Sequence, residues 1–161
     1  MDASQQFCTF FLEKKLFGVP VPQVQEVIRF QEMTPVPLAP SVVEGMINLR
    51  GQIVVAIDLR RRLGLPERPA GELPMNVVVR TAEGAVSLLV DEIGDVIEVA
   101  EDCFEPPPET LQGSTRELVR GVYKLQEQLL LALDTERAVV AVEPAATGKQ
   151  LAEHGLAAFK A

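Results

Sequence analysis

The chain has 161 residues, of which 47% are hydrophobic and 24% are charged, a composition typical of one folded domain with its own core. Its formal net charge of −8 and its single Tyr, with no Trp, argue against binding to nucleic acid. A membrane-spanning helix needs about 18 apolar residues, and no apolar run of the chain is nearly that long. We therefore expect no insertion into a membrane.

The N-terminus and the cysteines indicate the compartment. No basic region precedes the short apolar stretch from Phe7 to Leu12, so a secretory signal is not expected. Cys8 and Cys103 lie far apart, and neither has a second Cys or a His at metal-ligand spacing. Two reduced thiols and a cytoplasmic location are therefore predicted.

Short runs of Val, Ile, Leu and Phe between Gly, Pro and charged pairs predict an all-β chain. Residues 5–12 and 16–21 form a hairpin around a turn at 13–15. Pro22 then begins a short helical turn over 22–28, with Val24, Val27 and Ile28 on its apolar side and Glu26 facing away. The proline-rich segment 29–40 is an edge strand or a loop.

The stretch 46–65 holds the most apolar run of the chain. Residues 46–50 form a strand that turns at Gly51, and Ile53–Ile57 form a strand covered on both faces. Asp58 is predicted to be the N-cap of a short helix that ends at Gly64. Arg50 lies at the hairpin tip, where the residues alone favour a solvent-exposed or internally paired side chain.

The second half continues the pattern of strands. The polar loop 64–74 is the predicted boundary between sub-structures, because it is rich in Pro and Gly. Hairpins follow over 75–93 and 118–133, with a strand at 95–100 between them. Asp134 is predicted to cap a short helix, and the segment after Pro144 reads as a weakly amphipathic tail.

A search for catalytic chemistry finds no convincing residue. The single His154 lies in the tail, and the Gly-Lys pair at 148–149 lacks the other residues of a phosphate-binding loop. Asp91, Glu92, Asp95 and Glu98 lack calcium-loop spacing and read as charges that protect a strand edge. Arg60 to Arg62 read as a solvated helix face. We therefore predict no catalytic, cofactor-binding or metal-binding residues.

Four segments together resemble the CheW family of chemotaxis adaptors. The stretch EGMINLRGQIVVAIDLRRRLGL is similar to the central signature of that family, which contains NLRG, an apolar strand and DLR. FCTFFLEKKLFGVPVPQVQEVI resembles its opening hairpin, VSLLVDEIGDVIEV its later strand pair, and LVRGVYKLQEQLLLALD its end. The resemblance covers about residues 5 to 142 in the right order.

The resemblance implies a fold of two small SH3-like five-stranded β-barrels packed side by side with short helices. It places the adaptor domain, two interlocked lobes, at residues 1–143, and leaves 144–161 as a tail that is helical or disordered. It further implies a non-enzymatic adaptor that couples methyl-accepting chemoreceptors to the regulatory domain of the histidine kinase CheA. Such a protein is cytoplasmic and reaches the inner face of the membrane through the receptors.

The same resemblance implies which residues bind the receptor tip. Carried over by position, they are Val24, Glu26, Gly45, Asn48, Arg50 and Gly51, in a groove between the lobes. No cofactor is implied, and weak self-association is expected because such grooves are apolar. Three alternatives stay open: a CheW-like scaffold of a non-swimming pathway such as pilus-based surface motility, a small-ligand-binding β-barrel, and a small hydrolase.

Overall fold

The computed structural model describes residues 4–82 and 84–140, which form eleven strands and three short helices. The strands are β1 Ser4–Leu12, β2 Lys15–Pro20, β3 Val24–Ile28, β4 Val43–Leu49, β5 Gln52–Asp58, β6 Met75–Thr81, β7 Gly84–Val90, β8 Glu92–Ala100, β9 Phe104–Glu105, β10 Val119–Lys124 and β11 Leu129–Leu133. The helices are α1 Leu59–Arg62, α2 Gly113–Leu118 and α3 Thr135–Val140. The predicted tail, 144–161, lies outside the described residues.

The strands form two sheets, one in each lobe. The first sheet has the order β8-β1-β2-β11-β10-β9, and the second has the order β3-β6-β7-β5-β4. Most neighbours are antiparallel, whereas β2 with β11 and β5 with β7 are parallel. The predicted all-β fold of two small lobes with short helices is confirmed. No helix among the described residues is long and apolar enough to span a membrane.

One apolar core joins the two sheets. Phe10 and Phe17 of the first sheet belong to the same buried cluster as Val77 and Leu88 of the second, and all four are at most 1% exposed. Burying each such side chain stabilises the fold by about 1.5–3 kcal/mol. The sheets therefore share one buried apolar cluster that neither could complete alone.

The predicted helix over 22–28 is wrong. Only Val21–Gln23 forms a single 3₁₀ turn, and Val24–Ile28 is strand β3, which pairs with β6. A helix of seven residues gains too few hydrogen bonds to offset its nucleation, whereas β-branched residues suit a strand beside an open sheet edge. The helical periodicity of three apolar residues was outweighed by pairing with a distant strand.

The predicted boundary at loop 64–74 is also wrong. This loop joins α1 to β6, and both β6 and β5, the strand before α1, belong to the second sheet. The chain instead crosses between the sheets at Val21–Gln23 and at Asp91. Neither crossing contains a run of Pro and Gly residues. Strand β5 lies between β7 and β4, second from the sheet edge.

The short helix α1 has the predicted caps but not the predicted solvent-exposed face. Asp58 accepts a hydrogen bond from the Arg60 amide at 3.0 Å, and Gly64 adopts a positive φ of 74° just beyond the helix. Arg60, however, is buried, with 7% of its surface exposed. The interpretation as a solvated surface is therefore wrong for Arg60, whereas Arg61 and Arg62 are half-buried.

Arg60 is buried because it pairs with Asp91, the residue at which the chain passes from β7 to β8. The Arg60 Nε lies 2.9 Å from one Asp91 carboxylate oxygen, and the Arg68 Nε lies 3.1 Å from the same oxygen. The Glu13 amide donates to the other oxygen at 2.9 Å. Asp91 thus connects α1 and the loop after it to the β1–β2 turn of the first sheet. The prediction that Asp91 protects a strand edge is therefore wrong.

The pKa of Asp91 reflects two opposing effects. Burial alone would raise the pKa of this carboxyl group, but the hydrogen bonds from Arg60, the Glu13 amide and Arg68 hold it below its usual range. The native state therefore binds fewer protons than the unfolded chain around the ordinary carboxyl pKa. The contribution of Asp91 to stability is present above about pH 4 and is lost as the pH falls through the lowered pKa.

We predict that Asp91→Asn lowers the free energy of unfolding at pH 7 by about 3–5 kcal/mol, because it leaves two arginine side chains buried without a full counter-charge. Urea denaturation at pH 7 and at pH 3 measures this effect. The wild type should lose more stability than the variant between those two values. Glu127→Gln, an exposed carboxylate in the β10–β11 turn, is the matched control and should change stability by less than about 0.5 kcal/mol. Equal stability of Asp91→Asn and wild type at pH 7 would contradict the role assigned to Asp91.

Candidate functional site

The turn between β4 and β5 places Arg50 at the end of a tight hairpin. Arg50 and Gly51 both have positive φ values, 53° and 89°, and the flanking Leu49 pairs with Gln52. These are the two central positions of a type I′ turn, and the second of them is glycine, which adopts this conformation without strain. The Asn48 Oδ1 accepts a hydrogen bond from the Gly51 amide at 2.8 Å. Asn48 and Gly51 therefore hold the turn that carries Arg50.

Arg50 forms an ion pair with Glu26 of β3. The Arg50 Nη2 donates to the Glu26 carboxylate, and this hydrogen bond holds the pKa of Glu26 below its usual range. The Arg50 side chain is 70% exposed and that of Glu26 is 20% exposed. The guanidinium group therefore keeps most of its surface available to a second acidic group.

The Glu26–Arg50 pair connects the two edges of the second sheet. Strand β3 lies at one edge and β4 at the other, so the two side chains meet only because the sheet curls. The loop after β3 reinforces this closure, since Thr34 and Met46 exchange two backbone hydrogen bonds of 2.8 Å. The hairpin is thus held against the loop and against β3.

Gly45 permits this close approach of the loop to β4. A Cβ atom at position 45 would lie 2.8 Å from the Thr34 carbonyl oxygen and 3.0 Å from the Cβ of Met33. Real Cβ atoms do not come so close to backbone oxygen atoms. Gly45 is therefore a supporting residue, buried beneath the loop.

Val24 also supports the site from inside. It is half-buried and packs against the core cluster that both sheets share, whereas its neighbour Val27 is 37% exposed on the same edge strand. Of the six residues expected in the groove, Glu26, Asn48, Arg50 and Gly51 meet at the hairpin, and Val24 and Gly45 hold the backbone around them.

The sequence profile of the CheW-like domain matches residues 6–143. The chain belongs to the CheW-like family. The chemotaxis protein CheW of Treponema pallidum is 30% identical over 140 residues, which span 84% of this chain and 82% of that protein. Protein FrzA of Myxococcus xanthus is 29% identical over 104 residues, which span 65% of each chain.

A solved structure gives the same result for the fold. The crystal structure of the scaffolding protein TtCheW from Thermoanaerobacter tengcongensis superposes with a TM-score of 0.76 at 28% sequence identity. The match covers 86% of this chain and 93% of that chain. The two-lobed CheW-like architecture is therefore shared well beyond the short motifs.

The hairpin site offers charged groups of both signs. They are the exposed guanidinium of Arg50 and the largely buried carboxylate of Glu26, and such groups can bind oppositely charged side chains with defined geometry. Among residues 4–82 and 84–140, no group of three or more His, Cys, Asp or Glu is placed to hold a metal ion.

Two contacts of the segments around the site were not predicted from the sequence. Thr34 lies in the proline-rich segment, where strand pairing was one of two alternatives, and its partner Met46 lies 12 residues away. Gln23, in the crossing between the sheets, accepts a hydrogen bond from the Thr135 hydroxyl at 2.9 Å. Both contacts depend on the curl of the second sheet and the packing of the lobes.

We predict that Gly45→Ala lowers the free energy of unfolding by about 1–3 kcal/mol, because the added methyl group displaces the backbone at Thr34. In hydrogen exchange, the Thr34 and Met46 amides of the variant should exchange faster than those of the wild type. The increase should be larger than for amides in the first sheet. Ser41→Ala, at an exposed position of the loop between β3 and β4, serves as the control. Unchanged exchange at Thr34 and Met46 would show that the loop does not depend on Gly45.

Proposed function

We propose that this CheW-like chain is a signalling adaptor that joins the cytoplasmic tip of a methyl-accepting chemoreceptor to the regulatory domain of the histidine kinase CheA. The site at the β4–β5 hairpin, with Val24, Glu26, Gly45, Asn48, Arg50 and Gly51, is assigned to the receptor. Family membership and the scaffolding role named for TtCheW support this proposal. The adaptor would act in the cytoplasm, at the inner face of the membrane.

The observation that carries the proposal is that the Arg50 side chain is both exposed and held in place. Its side chain is 70% exposed, yet the type I′ turn and Glu26 hold it in one place. A preorganised charge loses little conformational freedom when a partner binds. An amphipathic receptor helix with an acidic group would gain a charge-assisted hydrogen bond from Arg50, and this bond would fix its register.

Binding rather than catalysis is the proposed role, and the interior of the lobes supports it. Side chains such as Phe10, Leu88, Ile47 and Val54 fill the clusters inside the sheets and are at most 1% exposed. A carrier of small ligands would need an internal cavity in one lobe, and a hydrolase would need a nucleophile beside a base. An adaptor needs a filled, stable interior and an external site.

We further propose that the adaptor domain spans residues 1–143 and that its two lobes act as one unit. The shared apolar core and the Arg60–Asp91 contact across the sheet crossing support this proposal. In such a unit, receptor and kinase are coupled only if their contacts differ between signalling states. A stiff connection between the lobes would transmit such a difference from one partner to the other.

We predict that Arg50→Glu weakens entry into the complex by about tenfold or more, because a carboxylate there repels Glu26 and the acidic group of the partner. Co-sedimentation with a receptor signalling fragment and CheA of the same organism measures this effect. The variant should keep the stability of the wild type to within about 1 kcal/mol, since the Arg50 side chain is 70% exposed and its ion pair is screened by solvent. Arg120→Glu, an exposed charge reversal on β10, is the matched control.

The exchanged pair Glu26→Arg with Arg50→Glu separates two roles of Arg50. It restores the intramolecular ion pair but leaves the partner facing the wrong charge, so binding should stay weak. Full recovery would show that Arg50 acts only through Glu26. If the wild type binds neither receptor nor kinase, the chemotaxis assignment is wrong.

A scaffold of another kinase pathway is the second candidate. The similarity to FrzA, a protein that carries a name other than CheW, supports this candidate. The same sedimentation assay, repeated with other receptor and kinase pairs of the organism, distinguishes the two candidates by the pair that retains the wild type.

A further inference from the structure

A second surface lies at the opposite end of β5 from the Arg50 hairpin. It is an open cleft of about 1040 Å³, bounded by the β1–β2 turn, the loop 66–73 and the start of β8. The seven residues of β5 separate its Arg60 end from the hairpin by about 20 Å. This surface, called the acidic cleft below, is distinct from the site assigned to the receptor.

The positive charges in the wall of the acidic cleft are already paired. Arg60 and Arg68 line it, and both hydrogen-bond to Asp91. The Arg68 Nη2 also lies 3.6 Å from a carboxylate oxygen of Asp58, so two carboxylates compensate two guanidinium groups. The inner wall therefore presents little net charge to a binding partner.

The rim of the acidic cleft has an excess of negative charge. Glu13, Glu72 and Glu92 are exposed, and within the described part of the chain none of their carboxylates has an ion-pair partner. Glu67 pairs with Arg61 at 3.0 Å, and Lys14 contributes one positive charge. A partner with basic side chains would compensate this excess.

Apolar side chains lie between these charges. Leu73 is 64% exposed, and the half-buried Phe11 lines the cleft with Pro66 and Pro69. The side chain of Arg68 is only 9% exposed and pairs with Asp91 and Asp58, so the surface open to a partner is made by the apolar side chains and the rim.

From these features we propose that the acidic cleft binds a short segment of a partner protein in which apolar side chains lie between Lys or Arg residues. The basic side chains pair with Glu13, Glu72 and Glu92, and an apolar side chain covers Leu73 and Phe11. The cleft is thus a second docking surface, at the opposite end of β5 from the site assigned to the receptor.

The test uses the full chain labelled with ¹⁵N and the synthetic hexapeptide KRLLRK. Amide shifts should concentrate at residues 11–14, 66–73 and 91–92. Glu72→Gln and Glu92→Gln should each weaken binding by about two- to fivefold, since each removes one exposed charge pair. Leu73→Ser should also weaken binding, and the peptide KRSSRK should bind less tightly than KRLLRK because it lacks the apolar contact.

Two controls make the outcome decisive. Glu127→Gln removes an exposed carboxylate elsewhere and should leave binding unchanged. Arg50→Glu should bind the peptide as the wild type does, so this test is independent of the proposed adaptor function. Absence of binding, shifts outside the acidic cleft, or equal affinity for KRLLRK and KRSSRK would each overturn the proposal.

Discussion

Side chains from both sheets meet in one apolar core, and this shared burial holds the two lobes together. Phe10 and Phe17 pack in the same cluster as Val77 and Leu88, so neither sheet can lose its partner without exposing its own interior. Asp91 lies where the chain crosses between the sheets and binds Arg60 beside that core. The adaptor role proposed for the chain depends on this stiffness, because two partners can be coupled only through parts that do not move independently.

The curl of the second sheet makes the candidate site. If the sheet were flat, β3 and β4 would lie far apart at its opposite edges, and Glu26 would not reach Arg50. Two arginines of one short stretch have opposite environments. Arg50 is exposed at a turn, where it is available to a partner, whereas Arg60 is buried in a network that stabilises the fold. A basic residue near a conspicuous motif therefore has no fixed role until its partner is known.

Hairpins and helix caps were predictable because their causes are local. The β4–β5 and β6–β7 hairpins follow from apolar runs on either side of a short turn, and Asp58 caps α1 through an amide two residues away. The prediction was wrong over 22–28, where a distant strand offered pairing that a short helix could not match. It was also wrong at loop 64–74, because composition marks flexible connections and not the places where a chain changes sheets.

The sequence by itself determined the all-β class, the turn that carries Arg50 and the resemblance to CheW, because each rests on the order of neighbouring residues. Only the tertiary structure decided that Glu26 pairs with Arg50, that Asp91 binds both Arg60 and Arg68, and that Gly45 must lack a side chain. These contacts join residues 11 to 31 positions apart. Their energies depend on burial and on the curl of a sheet, and neither quantity is present in any short segment of the chain.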